Sequence, residues 1–179
     1  MTCTLRIVQD EDPVNPRLDF DNLGTMICFH KRYNLGDAHH IDWTDLNGWD
    51  EMSAHLTQVH EAAVILPLFL YDHSGLTLQT NPFSCPWDSG QIGFIYLERT
   101  TLLKEAPGHP KILTKTAKVW ANRCLLAEVQ VYDQYLSGDV WGYVIEDSDS
   151  REIESCWGFY GEDYCKTESE EAMARWMAR

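Results

Sequence analysis

The sequence predicts an α+β fold with a mostly antiparallel sheet, one long amphipathic helix at about 112–137, a second helix at about 47–61 and a short C-terminal helix. Three observations predict it. Leu113, Ala117, Trp120, Cys124, Ala127, Val131 and Tyr135 recur at steps of three and four, which puts them on one helical stripe. Two apolar runs, 140–145 and 153–161, flank an acidic turn at 147–150, the pattern of a β-hairpin. Along the whole chain hairpin signals outnumber crossovers, which favours antiparallel pairing. The 179 residues read as one domain, 1–179, long enough to bury a core.

Residues 4–9 alternate and read as a first strand. Residues 10–22, rich in Asp, Pro and Asn, read as a loop. Its Asp10, Asp12, Asp19 and Asp21 lack the spacing and glycine of a calcium loop and are expected in solvent. A second strand is expected at 24–30, then a polar loop at 31–42 with Gly36 and the pair His39-His40. Trp49, Met52, Leu56, Val59 and Ala63 step with a helical period. Asn47 suits its N-cap, and Asp50 and Glu51 sit in the favourable first turn.

The run 62–71 is a buried strand, or an edge strand if Pro67 lies within it. Asp72-His73-Ser74-Gly75 turns it into a strand at 76–80. A loop at 81–91, a strand at 92–97 and a connector at 99–110 with a short helical turn follow. On the long helix Lys115, Lys118, Asn122, Glu128 and Gln130 fall off the apolar stripe, and Gly138 supplies the stop. In the hairpin Trp141, Tyr143 and Ile145 share one face, and Ile153, Trp157 and Phe159 share one on the next strand. Thr167-Glu168-Ser169-Glu170 is a capping-box pattern opening the last helix, with Met173, Trp176 and Met177 on its apolar side.

Composition narrows function. Hydrophobic content of 44% and aromatic content of 12% argue against disorder. Seven Trp and eight Tyr suit a binding surface, because both supply large rigid contacts. The net charge of −14 is uneven: −6 over residues 1–60, zero over 61–120 and −8 over 121–179. That argues against direct nucleic-acid binding, which needs clustered Lys and Arg. A basic partner is the natural complement; plain solubility is the alternative reading. Six cysteines without a C-x-x-C pair read as reduced thiols in a cytoplasm. No signal peptide is read, and the longest apolar run, 62–71, is too short to span a bilayer.

Four blocks carry a resemblance: 22–37, 81–96, 132–143 and 155–161. They include Asn-Pro-Phe-Ser-Cys-Pro-Trp-Asp-Ser-Gly-Gln, Tyr-Asp-Gln-Tyr-Leu-Ser-Gly-Asp-Val-Trp-Gly-Tyr and Ser-Cys-Trp-Gly-Phe-Tyr-Gly. The chain resembles a family of small acidic proteins encoded mostly by bacteriophages and mobile elements. The resemblance implies no enzymatic assignment. It implies host-takeover or anti-defence work, as in anti-CRISPR and antirestriction proteins.

The candidate chemistry is thin. Cys85, with Asp88 nearby, invites a nucleophile reading, yet a thiolate needs a base and an electropositive setting, and its block holds no histidine. A compact Pro-flanked loop packed by Phe83 and Trp87, with Asp88 and Ser89 bonding turn amides, is the structural alternative. His30, Asp37, His39, His40 and Asp42 could supply a metal site, although adjacent histidines on a strand point to opposite sides. Glu128, Asp133, Asp139, Glu146, Asp147, Asp149, Glu152 and Glu154 are expected to form an acidic face on the helix end and hairpin. Such a face imitates nucleic-acid phosphates toward a basic groove, or is merely solvated. Tyr135 is expected on the helix stripe, Trp141 in the core and Asp139 on turn amides.

The leading expectation is a non-enzymatic inhibitor without cofactor or metal, acting in the host cytoplasm on a defence nuclease or ribonucleoprotein with a basic surface. The alternative is a small enzyme acting on a nucleotide signal through Cys85 or a His39/His40 metal site. A phage assembly protein is a third.

Overall fold

A computed structural model describes residues 3–178. The elements are β1 (Thr4–Gln9), α1 (Pro16–Asp19), β2 (Thr25–Cys28), α2 (Trp49–Val59), β3 (Ala62–Asp72), β4 (Leu76–Gln79) and β5 (Ser89–Glu98). They continue with α3 (Arg99–Glu105), α4 (Lys115–Ser137), β6 (Val140–Glu146), β7 (Glu152–Tyr160) and α5 (Glu162–Met177). All the strand pairings are antiparallel, in one sheet ordered β1-β6-β7 and another ordered β2-β5-β3-β4. The fold is therefore α+β, as the sequence predicts, with its strands shared between two sheets. The chain groups into two compact units, Met1–Pro16 with Gln134–Arg179, and Arg17–Asp133.

In the first unit the three-stranded sheet carries α5. Alternation on β1 and β6 places Leu5 opposite Ile145 and Ile7 opposite Tyr143. These side chains join Phe159, Met173 and the fully buried Cys165 in one core. Trp157 departs from the expected face. The register slips between Trp141↔Phe159 and Tyr143↔Cys156, so β7 holds one extra residue there. Gly158, at φ +81°, absorbs this bulge. The slip turns Trp157 away from Ile153 and Phe159. Its indole lies over Gly142, where a Cβ would overlap it, and the residue is 48% exposed.

The last helix begins at Glu162, five residues before the capping-box pattern. Asp139 caps it from a distance: its carbonyl accepts from Gly161 N at 2.8 Å and its Oδ1 from Glu162 N at 3.3 Å. With the start fixed there, Thr167 sits inside the helix and donates back to the Asp163 carbonyl at 3.0 Å.

In the second unit β5 runs through the middle of the four-stranded sheet, and Ile92, Phe94, Ile95, Tyr96 and Leu97 are all buried. Phe94 and Tyr96 pack with Ile27 and with Met52 and Leu56 of α2. Phe29, Ile41, Trp43, Leu46 and Trp49 close this cluster. Ile95 alternates to the opposite face, where it meets Leu125 of α4 beside Gly24. Pro67 does lie within β3. It pairs with β5 opposite Phe94, but β4 reaches only Phe69–Asp72, so the proline sits where the other edge is open. At α2 the N-cap is Gly48, not Asn47; Asn47 N donates instead to the Glu51 carboxylate at 2.6 Å.

The long helix buries a different stripe from the one expected. Ala117, Ala121, Leu125, Val129 and Tyr132 are buried, while Trp120, Cys124, Val131 and Tyr135 are half-buried and Ala127 is exposed. Both sets have helical spacing and lie about 100° apart around the axis. Packing of Leu125 at Gly24 and of Tyr132 at Gly36, whose N–H donates to the phenol at 3.0 Å, selects the observed one.

Candidate functional site

The eight carboxylates expected to form one acidic face have separate roles. Two belong to the second unit and are occupied there. Glu128 binds the guanidinium of Arg17 at 2.8 Å and accepts from Leu23 N at 2.8 Å and Gly24 N at 3.1 Å. Its side chain is 15% exposed, so it is a buried anchor and not part of a wet face. Asp133 is half-buried, and its Oδ1 accepts from Leu78 N at 2.6 Å. The sequence placed both on the outside because it could not show which backbone would come to them.

The other six lie in the first unit. Asp139 caps α5 and accepts from Trp141 Nε1 at 2.7 Å, so its carboxylate serves a distant helix start and an indole where turn amides were expected. Glu146 pairs with Arg6 at 3.3 Å. Glu154 accepts from the Tyr143 hydroxyl at 3.1 Å, and burial followed by this carboxylate pushes the phenol up to about 12. Asp147 organises the hairpin turn, accepting from Asp149 N at 2.8 Å and Arg151 N at 3.0 Å. Asp149 and Glu152 are exposed, the latter accepting from Ser155 Oγ at 2.7 Å. The outward acidity of the hairpin therefore narrows to its tip.

Helix α5 adds what the sequence reading left out. Asp163, Glu170 and Glu171 are exposed along it. The 28 acidic residues divide 14 and 14 between the units and the 14 basic ones five and nine, giving −9 for the 62-residue first unit and −5 for the 117-residue second. Several cations of the first unit are already engaged: Lys166 with Glu162 at 2.8 Å, Arg175 with Glu171 at 3.6 Å and Arg6 with Glu146. Two large aromatics stand out on the same unit, Trp157 at 48% and Tyr164 at 56% exposure. Tyr164 meets Phe159 edge-on at 5.6 Å, which anchors an exposed ring on a half-buried one.

The loop of Cys85, Trp87, Asp88 and Ser89 belongs to the second unit. Ser89 Oγ donates to the Cys85 carbonyl at 2.5 Å, Asp72 N donates to the Asp88 carbonyl at 2.8 Å, and Phe83 packs on Tyr71 at 5.5 Å. Trp87 is 92% exposed, so it does not pack the loop as expected; the bonds just described hold the loop without it. The Cys85 thiol lies 3.8 Å from Asp88 Oδ2, and His73 Nδ1 lies 3.3 Å from the same oxygen. The β3–β4 turn brings in His73, which the local sequence block does not contain. Activating a thiol calls for a cation or an imidazole in contact with it. Here the hydrogen-bond partner of the sulfur is a carboxylate, and the imidazole is paired with that same carboxylate oxygen.

The histidine loop disperses. Asp37 accepts from Arg17 Nε at 2.8 Å and from Met26 N at 2.8 Å. His39 Nε2 lies 3.1 Å from the Cys28 carbonyl, His30 stacks on Tyr33, and His40 and Asp42 are exposed. Among the described residues no group of three or more His, Cys, Asp and Glu has an arrangement that could hold a metal ion. Arg17, whose side chain is 1% exposed, is the residue that sequence reasoning missed. It stands in a stretch that otherwise reads as a solvated loop.

No protein-family model, curated protein or solved structure matches this chain. Among the described residues no helix is long and apolar enough to cross a membrane.

Proposed function

We propose that the protein is a non-enzymatic inhibitor of a host defence system, carried by a bacteriophage or mobile element. It binds a nuclease or its ribonucleoprotein complex through the acidic, aromatic surface of its first unit. One observation carries the reading: half of the acidic side chains sit in the 62-residue unit, which also exposes Trp157 and Tyr164. Carboxylates at the hairpin tip and along α5 offer the negative field that a basic nucleic-acid channel attracts. The two aromatics supply the contact area that charge alone lacks. Tagged protein is captured with its partners from a bacterial lysate and eluted with rising salt. A nuclease or nucleic-acid-binding complex released at moderate ionic strength supports the proposal, and partners indifferent to salt remove the mimicry.

A further inference from the structure

The zero charge of residues 61–120 conceals a division. Residues 61–98 hold four carboxylates and no Lys or Arg, while 99–120 hold five Lys and Arg against Glu105 alone. No Asp or Glu stands between Glu105 and Glu128, a stretch that carries Lys111, Lys115, Lys118 and Arg123. All four are exposed, and none pairs with a carboxylate of the described residues. The stretch forms the α3–α4 connector and the first turns of α4, wholly within the second unit. The connector is pinned. Ala106 is fully buried, its carbonyl accepts from His109 N at 2.9 Å, and His109 Nδ1 lies 2.5 Å from the Lys104 carbonyl. Because α4 buries Ala117, Ala121 and Leu125, Trp120 is left half-buried on another side of the helix. Pro107, Pro110, Val119, Trp120 and Arg123 line a groove of about 310 Å³ there. Lys118 lines a different groove, with Arg99 and Glu61.

We propose that this surface binds single-stranded nucleic acid, with one base stacked on Trp120 in the groove and phosphates held by Lys111, Lys115 and Arg123. Unpaired cations clustered along a helix are the electrostatic footprint of phosphate binding. The cations alone would suit any polyanion. Trp120, between Lys115 and Arg123 on α4, selects a base, because every base has a π-face and a carboxylate side chain has none. A groove that takes a base needs that base unstacked, which a single strand offers and a duplex withholds. Stacking is tolerant of sequence, so no strong preference among bases is expected. The net −9 of the first unit opposes phosphates, which keeps the affinity modest and steeply dependent on salt. The surface lies within the second unit and works without the partner of the first.

The test is fluorescence anisotropy of a labelled single strand of about 20 nucleotides, RNA or DNA of mixed sequence, titrated with the full chain. Binding is expected at about 50 mM salt and should weaken about tenfold or more by about 200 mM, as three phosphate contacts require. Lys111→Ala with Lys115→Ala weakens it and lowers the salt dependence. Trp120→Ala weakens it about fivefold or more with the salt dependence kept, and Trp120→Phe, which keeps a ring, retains most of the affinity. Lys31→Ala, which removes an exposed cation elsewhere on the same unit, leaves it unchanged. Thermal melting of each variant checks the fold. Absence of single-strand binding at the lower salt overturns the proposal. So does a duplex or polyglutamate bound as tightly as the single strand, or affinity indifferent to Trp120→Ala and to the double lysine variant.

Discussion

Arg17 Nη1 donates to Glu128 Oε2 at 2.8 Å, joining two residues 111 positions apart. Burial opposes the charge of Arg17, but Asp37 and Glu128 more than offset it and raise its proton affinity above the ordinary value. Removing one side of such a pair leaves an uncompensated buried charge. Arg17→Ala is expected to lower unfolding free energy by ~3–5 kcal/mol in denaturant melts. Glu128→Gln, which keeps acceptors for Leu23 and Gly24, costs less. A loss below about 1 kcal/mol for Arg17→Ala places the pair among surface bridges instead.

Two groups set an alkaline limit. Burial, with the Asp37 charge adding to it, pushes the Cys28 thiol from 9.0 up to about 12, and Tyr143 rises from 10.0 to about 12. Both are held neutral in the folded state, so the unfolded chain loses these protons first. Their stabilisation is complete below about pH 9 and is lost as pH rises toward about 12. Near-UV absorbance should show a late-titrating tyrosine that Tyr143→Phe removes. The substitution should also flatten the alkaline loss of stability by ~2 kcal/mol. Tyrosines that all titrate at the ordinary value would contradict the buried contact with Glu154.

Trp157 and Gly142 form a contact that depends on the absence of a Cβ. Gly142→Ala is expected to cost ~1–3 kcal/mol in thermal or denaturant melts. Combined with Trp157→Ala the two changes should be strongly non-additive, since removing the ring removes the clash. Additive losses would mean that the indole does not lie over Gly142.

Thiol labelling reads the same unit from another side. Cys156 is exposed and Cys165 is fully buried. Under native conditions a thiol reagent should modify Cys156 well before Cys165, with denaturant equalising the two. Equal native rates would mean that α5 does not cover the sheet.

The fold was legible wherever a local pattern decides it. Strand β1, the β6–β7 hairpin and the span of the long helix follow from alternation and turn residues. The helix stripe was not legible, because Ala121, Leu125 and Val129 fit the same period as Trp120, Cys124 and Ala127, and Gly24 and Gly36 arbitrate from far away in sequence. The start of α5 was missed for the same reason: its cap is Asp139. Of the acidic face, Asp149 and Glu152 at the hairpin tip are exposed as expected. Glu128 and Asp133 are not available to it, since charge patterning cannot reveal a buried guanidinium or a waiting backbone amide.

Charge on the first unit is what draws the partner, and reversing that charge should release it. Asp149→Lys with Glu152→Lys changes two exposed side chains at the hairpin tip, and Lys118→Glu, exposed on the second unit, serves as the control. Each tagged variant is compared with the parent by capture from the same bacterial lysate at several salt concentrations. The double reversal is expected to lose the salt-sensitive partner or release it at a several-fold lower salt concentration, while the control retains it. Equal retention by the double reversal and the parent at every salt concentration would mean that the hairpin-tip carboxylates do not hold the partner.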